Sequence, residues 1–118
     1  MVHKEKQRDL DALIKSNLLA NQFLKKTSLV LIWGASKGGE RIAEKLIDKG
    51  FNVVGFIDRD FKKWGKNILE RPVYGDHTSL PAIEYEYIVI ATTPGRADAA
   101  AILDSLGKVF KKDYIYVW

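Results

Sequence analysis

Apolar positions along this chain fall into two alternating kinds of segment. From Asp9 to Lys25, Leu10, Leu13, Ile14 and Leu18 recur at helical spacing, and Leu19, Phe23 and Leu24 continue the stripe. That spacing predicts an amphipathic helix. Ser28–Trp33 is almost continuously apolar, as a strand buried on both faces should be. After a glycine-rich turn over Gly34–Gly39, a helix from Gly39 to Lys49 carries Ile42, Ala43, Leu46 and Ile47 on one face. Its opposite face holds Glu40, Arg41, Glu44, Lys45 and Asp48, and Gly50 stands where a helix C-terminal glycine belongs. Asn52–Ile57 reads as a second strand that ends at Asp58.

The second half repeats the alternation. Arg59–Lys66 is polar around Phe61 and Trp64 and predicts a short helix or turn. Pro72–Tyr74 reads as a short strand, Thr78–Leu80 as a single turn, and Glu86–Ala91 as another buried strand. Thr93 is placed to cap a helix with Pro94 at its first position. Ala99, Ile102, Leu103 and Leu106 make that helix's buried stripe, Gly107 ends it, and Tyr114–Trp118 reads as a last strand. Strands alternating with helices predict an α/β fold: a Rossmann-like three-layer sandwich on a parallel sheet ordered 3-2-1-4-5. The N-terminal helix (residues 1–27) is an addition to the nucleotide-binding domain (residues 28–118), the whole forming one compact domain.

Composition narrows the chemistry. A chain of 118 residues is the size of one ordinary domain, and no linker, repeat or low-complexity tract divides it. It has no cysteine, which removes disulfides, thiolate nucleophiles and cysteine-ligated metals. Met1–Asp9 lacks the apolar core of a signal peptide, and the longest apolar run, Leu29–Trp33, is far short of a membrane span. A cytoplasmic protein with no membrane partner is expected. The net charge is +4, but its lysines are spread through residues 25–26, 62–66 and 108–112. They read as solvated surface, and nucleic acid is not an expected partner.

The candidate site begins at Gly34-Ala35-Ser36-Lys37-Gly38-Gly39. Against the dinucleotide pattern G-x-G-x-x-G, Gly34 and Gly39 take the first and third positions, for a sharp turn and for close packing of the helix. Ser36 replaces the middle glycine, whose bare backbone lets a pyrophosphate approach. The helix N-terminus still offers free N–H groups, and Lys37 adds a mobile cation. Asp58, at the end of the second strand, is where a carboxylate can accept both ribose hydroxyls. Arg59 beside it suits a 2′-phosphate that Asp58 would repel, so NAD is favoured over NADP. Thr92 and Thr93, with Pro94 and Gly95, follow the fourth strand at its carboxyl end, where an open sheet borders its ligand crevice. They read as nucleotide contacts or as helix capping, and Arg96 as a phosphate partner or surface.

Nothing comparable marks a catalytic apparatus. His3 and His77 are the only histidines, and His77 reads as a solvated loop residue. No tyrosine has a lysine four residues later, the pair that short-chain reductases use, and neither a G-x-S-x-G elbow nor a Walker sequence occurs. No catalytic residue is assigned, and no metal site is expected.

From Leu29 to Gly75 the chain carries Gly34-Ala35-Ser36-Lys37-Gly38-Gly39, Val54-Gly55-Phe56-Ile57-Asp58-Arg59-Asp60, Trp64-Gly65-Lys66, Ile68 and Pro72-Val73-Tyr74-Gly75. In these motifs it resembles the nucleotide-binding Rossmann domain at the front of bacterial nucleotide-sugar dehydratases, epimerases and sugar O-acyltransferases of polysaccharide synthesis. It departs from them at Ser36, at Arg59 where an acid is usual, and at Glu70 where glycine is usual. The resemblance implies binding of NAD, NADP or a nucleotide-sugar, and it assigns no catalytic role, because that family's catalytic residues lie in a following domain. The expected function is therefore a nucleotide-binding module of such an enzyme, incomplete as an enzyme alone. Two rivals stand beside it: an NAD(P)-dependent dehydratase or epimerase completed by self-association, and a scaffold or sensor that holds no ligand. The expected partners are a small-molecule nucleotide and either a second copy, met through the N-terminal helix, or a separate catalytic domain.

Overall fold

The computed structural model describes residues 10–118. Asp9, the expected helix start, and His3 lie outside the described residues. In chain order the elements are a helix α1 over residues 10–19, β1 (Leu29–Trp33), α2 (Lys37–Asp48), β2 (Asn52–Ile57), β3 (Asn67–Ile68), β4 (Arg71–Pro72), β5 (Tyr87–Ile90), α3 (Arg96–Ser105) and β6 (Tyr114–Tyr116). Single 3₁₀ segments at Phe61–Lys63 and His77–Ala82 complete it.

Four strands form one parallel sheet in the order β2-β1-β5-β6. β1 is central, and its alternate side chains serve both faces. Val30 and Ile32 join Val89 and Ile115 beneath Ile14 and Leu18 of α1 and Ile42 and Leu46 of α2. Leu31 and Trp33 join Ile57, Ile88 and Ile90 beneath Ala99 and Leu103 of α3 and Leu80 of the second 3₁₀ segment. A parallel sheet needs cover on both faces, which is why its strands are nearly all apolar. The result is a three-layer α/β unit compatible with a Rossmann-like fold.

The expected five-strand order 3-2-1-4-5 gives way to this four-strand sheet. The segment expected as the third strand turns back on itself, with Arg71–Pro72 pairing antiparallel to Asn67–Ile68. It still lies beside β2 through the isolated parallel bridge Phe56↔Val73, with the Tyr74 N–H donating to the Phe56 carbonyl at 2.9 Å and the Asp58 N–H to the Gly75 carbonyl at 2.8 Å. The turn of this hairpin puts Leu69 at φ 52° and Glu70 at φ 64°. Two successive positive φ values are the signature of a type I′ turn, normally filled by Asn-Gly. Past Pro72, Val73 continues the hairpin, its N–H donating to the Lys66 carbonyl at 2.8 Å and its carbonyl accepting the Gly65 N–H at 2.8 Å.

Other boundaries also move. α3 starts at Arg96 with Gly95 as its N-cap, so Thr93 and Pro94 belong to the preceding turn and do not cap it. Leu106 is 52% exposed and lies outside the buried stripe, and the last strand ends at Tyr116. α1 stops at Leu19 instead of reaching Lys25, leaving Phe23 exposed. Its Ile14–Leu19 portion is π-helical, closed by Ala20 N–H donating to the Lys15 carbonyl at 3.1 Å. Asn17 donates to the Val117 carbonyl at 2.8 Å, and Asn21 to the Tyr87 hydroxyl at 2.7 Å. These bonds tie the N-terminal segment to the C-terminal edge of the sheet.

Two predictions follow from local geometry. Glu70→Gly relieves a left-handed residue that costs about 1–2 kcal/mol, against a smaller entropic loss in the unfolded chain. A urea titration should show a net gain of about 0.5–1 kcal/mol, and a loss would contradict the I′ assignment. Burial and its hydrogen bond to Asp104 (2.6 Å) push the Tyr114 hydroxyl up from 10.0 to about 12. Burial likewise raises Tyr87, opposed by its Asn21 contact. Both prefer the neutral form when folded, so their stabilisation is complete below pH 10 and is lost as pH climbs toward 12. Denaturation monitored across that window should show falling stability, with a shallower fall in Tyr114→Phe.

Candidate functional site

The chain leaves β1 through Gly34, whose φ of 121° only glycine adopts readily, and whose N–H donates to the Ile57 carbonyl at 2.8 Å. α2 then begins at Lys37 with Ser36 as its N-cap, in extended geometry and with no side-chain cap bond. Gly39 packs so tightly under this turn that a Cβ there would lie 1.8 Å from the Gly34 carbonyl oxygen. Gly38 has room: a Cβ would meet the Trp118 ring at 3.5 Å and the Ala91 oxygen at 3.6 Å. The outer two glycines therefore have the roles their spacing suggested.

From β1 the chain winds to β2 on one side, and β5 lies on the other. Chain connections diverge at the carboxyl ends of β1 and β5, which opens a crevice between them. A cleft of about 270 Å³ occupies this place, lined by Trp33, Gly34, Asp58, Arg59, Thr92, Pro94 and Gly95. Larger hollows lie elsewhere, including one of about 300 Å³ beside Glu44 and Arg71. Another of about 330 Å³ adjoins α1 at Asn17 and Asn21, and one of about 450 Å³ adjoins His77 and Tyr85. None of these contains a residue of the glycine turn, and the one beside His77 is walled mainly by apolar groups.

Asp58 is engaged internally. One carboxylate oxygen accepts the Ala35 N–H at 2.7 Å and the other the Asp60 N–H at 2.8 Å. Lys63 brings its ammonium 3.9 Å from the first of these oxygens and also donates to the Ser36 hydroxyl. The Trp64 indole donates to the Asp58 carbonyl at 2.7 Å. Asp60 accepts the Lys62 N–H at 3.0 Å, starting the 3₁₀ turn that aims Lys63 back at the glycine turn. Arg59 reaches across to Asp98 of α3, 3.5 Å away.

Of the residues expected at the site, Gly34, Asp58, Arg59 and Thr92 line the cleft together. Ala35 and Ser36 are bound to its floor through Asp58 and Lys63. Gly38 and Gly39 fit the turn to the sheet, while Lys37 and Thr93 are exposed and outside the lining. Arg96 is committed to the chain end, donating to the Trp118 carbonyl with its guanidinium 4.6 Å from the Tyr116 ring centre. His77 stacks on Trp33, ring centres 6.1 Å apart, but is not among the residues lining the cleft. The neighbouring Asp76 carboxyl is held below its ordinary range, chiefly by the Thr78 hydroxyl. Sequence reasoning missed Trp33, Lys63, Trp64 and Asp98. Trp64 stood in the quoted Trp64-Gly65-Lys66 motif without a role, and for the others the signal is position, since each ends, follows or faces a strand end that pattern alone had located.

Among the described residues no group of three or more His, Asp or Glu side chains is placed to hold a metal ion. No helix among them is long and apolar enough to cross a membrane. The class is thus a three-layer α/β protein with a cleft at the carboxyl edge of a parallel sheet. The chain belongs to the family described as C2185-like, N-terminal, whose model matches residues 26–107. That match runs from before β1 to the end of α3 and includes the glycine turn, Asp58, Lys63 and Thr92. No curated protein matches the chain.

Gly39→Ala should destabilise by more than about 3 kcal/mol, because its Cβ collides with backbone that cannot yield. Gly38→Ala, in ordinary contact distance, should stay within about 1 kcal/mol of the parent. Urea unfolding of the pair checks this, and equal effects would contradict the close approach.

Proposed function

We propose that this chain is a Rossmann-like nucleotide-binding module, holding NAD, NADP or a nucleotide-sugar in the cleft beside the glycine turn. We further propose that it is the binding part of a sugar-nucleotide or polysaccharide-biosynthesis enzyme, whose reaction is completed by another domain or a second copy. The observation that carries the binding proposal is the convergence of Gly34, Asp58, Arg59 and Thr92, distant in sequence, around one cleft. Small-molecule sites are concave and largely apolar with a few converging polar groups, and this cleft sets Asp58, Arg59 and Thr92 beside Trp33 and Pro94. The first turn of α2 adjoins it and supplies N–H groups and partial positive charge for a phosphate. The resemblance over Leu29–Gly75 is what points to nucleotide-sugar chemistry. The internal partners of Ser36 and Asp58 favour the rival reading of a scaffold without a ligand.

Thermal shift with NAD, NADP, ADP-ribose and UDP-sugars separates the two. A true ligand at about 100 times its dissociation constant adds roughly 2.7 kcal/mol, several degrees for a domain this small. Gly95→Leu should abolish that shift while leaving the unliganded protein intact. Gly95 lines the cleft, and a Cβ there meets only Thr92, at 3.5 Å. No shift with any nucleotide would leave the scaffold reading.

A further inference from the structure

Asp58 is the acid expected to accept the ribose hydroxyls, yet its two oxygens already hold the Ala35 and Asp60 N–H groups at 2.7 and 2.8 Å. Lys63 stands 3.9 Å from the same carboxylate, and the two side chains are only 29% and 15% exposed. A carboxylate compensated in this way neither needs a diol to satisfy it nor repels an anion as a bare charge would. The next residue is the opposite case. Arg59 lines the cleft with its side chain 66% exposed, and its partner Asp98, at 3.5 Å, is 75% exposed. An ion pair so open to water is weakly held, and Asp98 is readily exchanged for a better anion. A phosphate monoester, with three acceptor oxygens and up to two charges, fits the planar guanidinium fork better than a single hydroxyl does.

Building on the nucleotide reading above, we infer that Asp58 is a structural clamp on the glycine turn and that Arg59 is the specificity-determining residue, selecting a nucleotide whose ribose carries a 2′-phosphate. The preference for NAD suggested by the acid alone is thereby reversed. Asp98 serves as the resident anion that holds Arg59 over the cleft until the phosphate displaces it.

Calorimetric titration of the full chain with NADP, NAD, adenosine 2′,5′-bisphosphate, ADP and UDP-glucose tests this. The wild type should bind NADP roughly tenfold or more tightly than NAD, and the bisphosphate more tightly than ADP, as a charge-assisted contact implies. Arg59→Ala should bring both ratios close to one, weakening NADP by a larger factor than NAD. Asp98→Ala should leave the NADP preference intact or enlarge it. Equal or tighter NAD binding, or a preference that survives in Arg59→Ala, overturns the inference. Binding of UDP-glucose without either dinucleotide overturns it too, while the nucleotide site itself stands. Failure of all five ligands refutes that site and the inference together. Circular dichroism of each variant confirms that both fold, since Arg59 and Asp98 are surface residues.

Discussion

The carboxyl edge of the sheet is organised by how closely α2 approaches the end of β1. With no side chain at position 39, the first turn of the helix settles against the Gly34 carbonyl. That approach fixes where Ala35 and Ser36 lie, and so puts the Ala35 N–H within reach of the Asp58 carboxylate at 2.7 Å. Asp58 in turn holds the start of the 59–64 loop through the Asp60 N–H, and the Trp64 indole returns to the Asp58 carbonyl. The turn, the end of β2 and the loop beyond it are therefore one bonded unit. Lys63 closes it by reaching back to Ser36.

This unit forms one wall of the cleft, and the start of α3 forms the other. The walls differ in character. The first is held by short bonds to backbone, whereas Asp98 of the second meets Arg59 in an ion pair exposed to water. Rigid geometry on one side and an exchangeable ion pair on the other suit a site that must recognise an anion and admit it.

Much of this was legible in the sequence. β1, β2 and β5 announced themselves as apolar runs because each is largely buried, and the spacing of Gly34, Gly39 and Asp58 pointed to the turn that borders the cleft. What escaped had physical causes. The Pro72–Tyr74 segment has the composition of a strand, but an I′ turn at Leu69 and Glu70 folds it into a hairpin, and neither residue signals such a turn. Thr93-Pro94 looks like a helix start, yet α3 begins two residues after Pro94, capped by Gly95. The π-helical register of α1 depends on tertiary bonds from Asn17 and Asn21 to β5 and the chain end, which periodicity cannot contain. The reach of Lys63 to Ser36 likewise exists only once the 3₁₀ turn has formed.

We propose that a nucleotide enters the cleft at the carboxyl ends of β1 and β5. Backbone amide NMR during titration with a nucleotide that raises the melting temperature tests it most directly. The largest shift changes should fall on Gly34–Gly39, Arg59 and Thr92–Gly95. Changes centred instead on Asn17–Phe23 and Lys111, around the hollow beside α1, would contradict it.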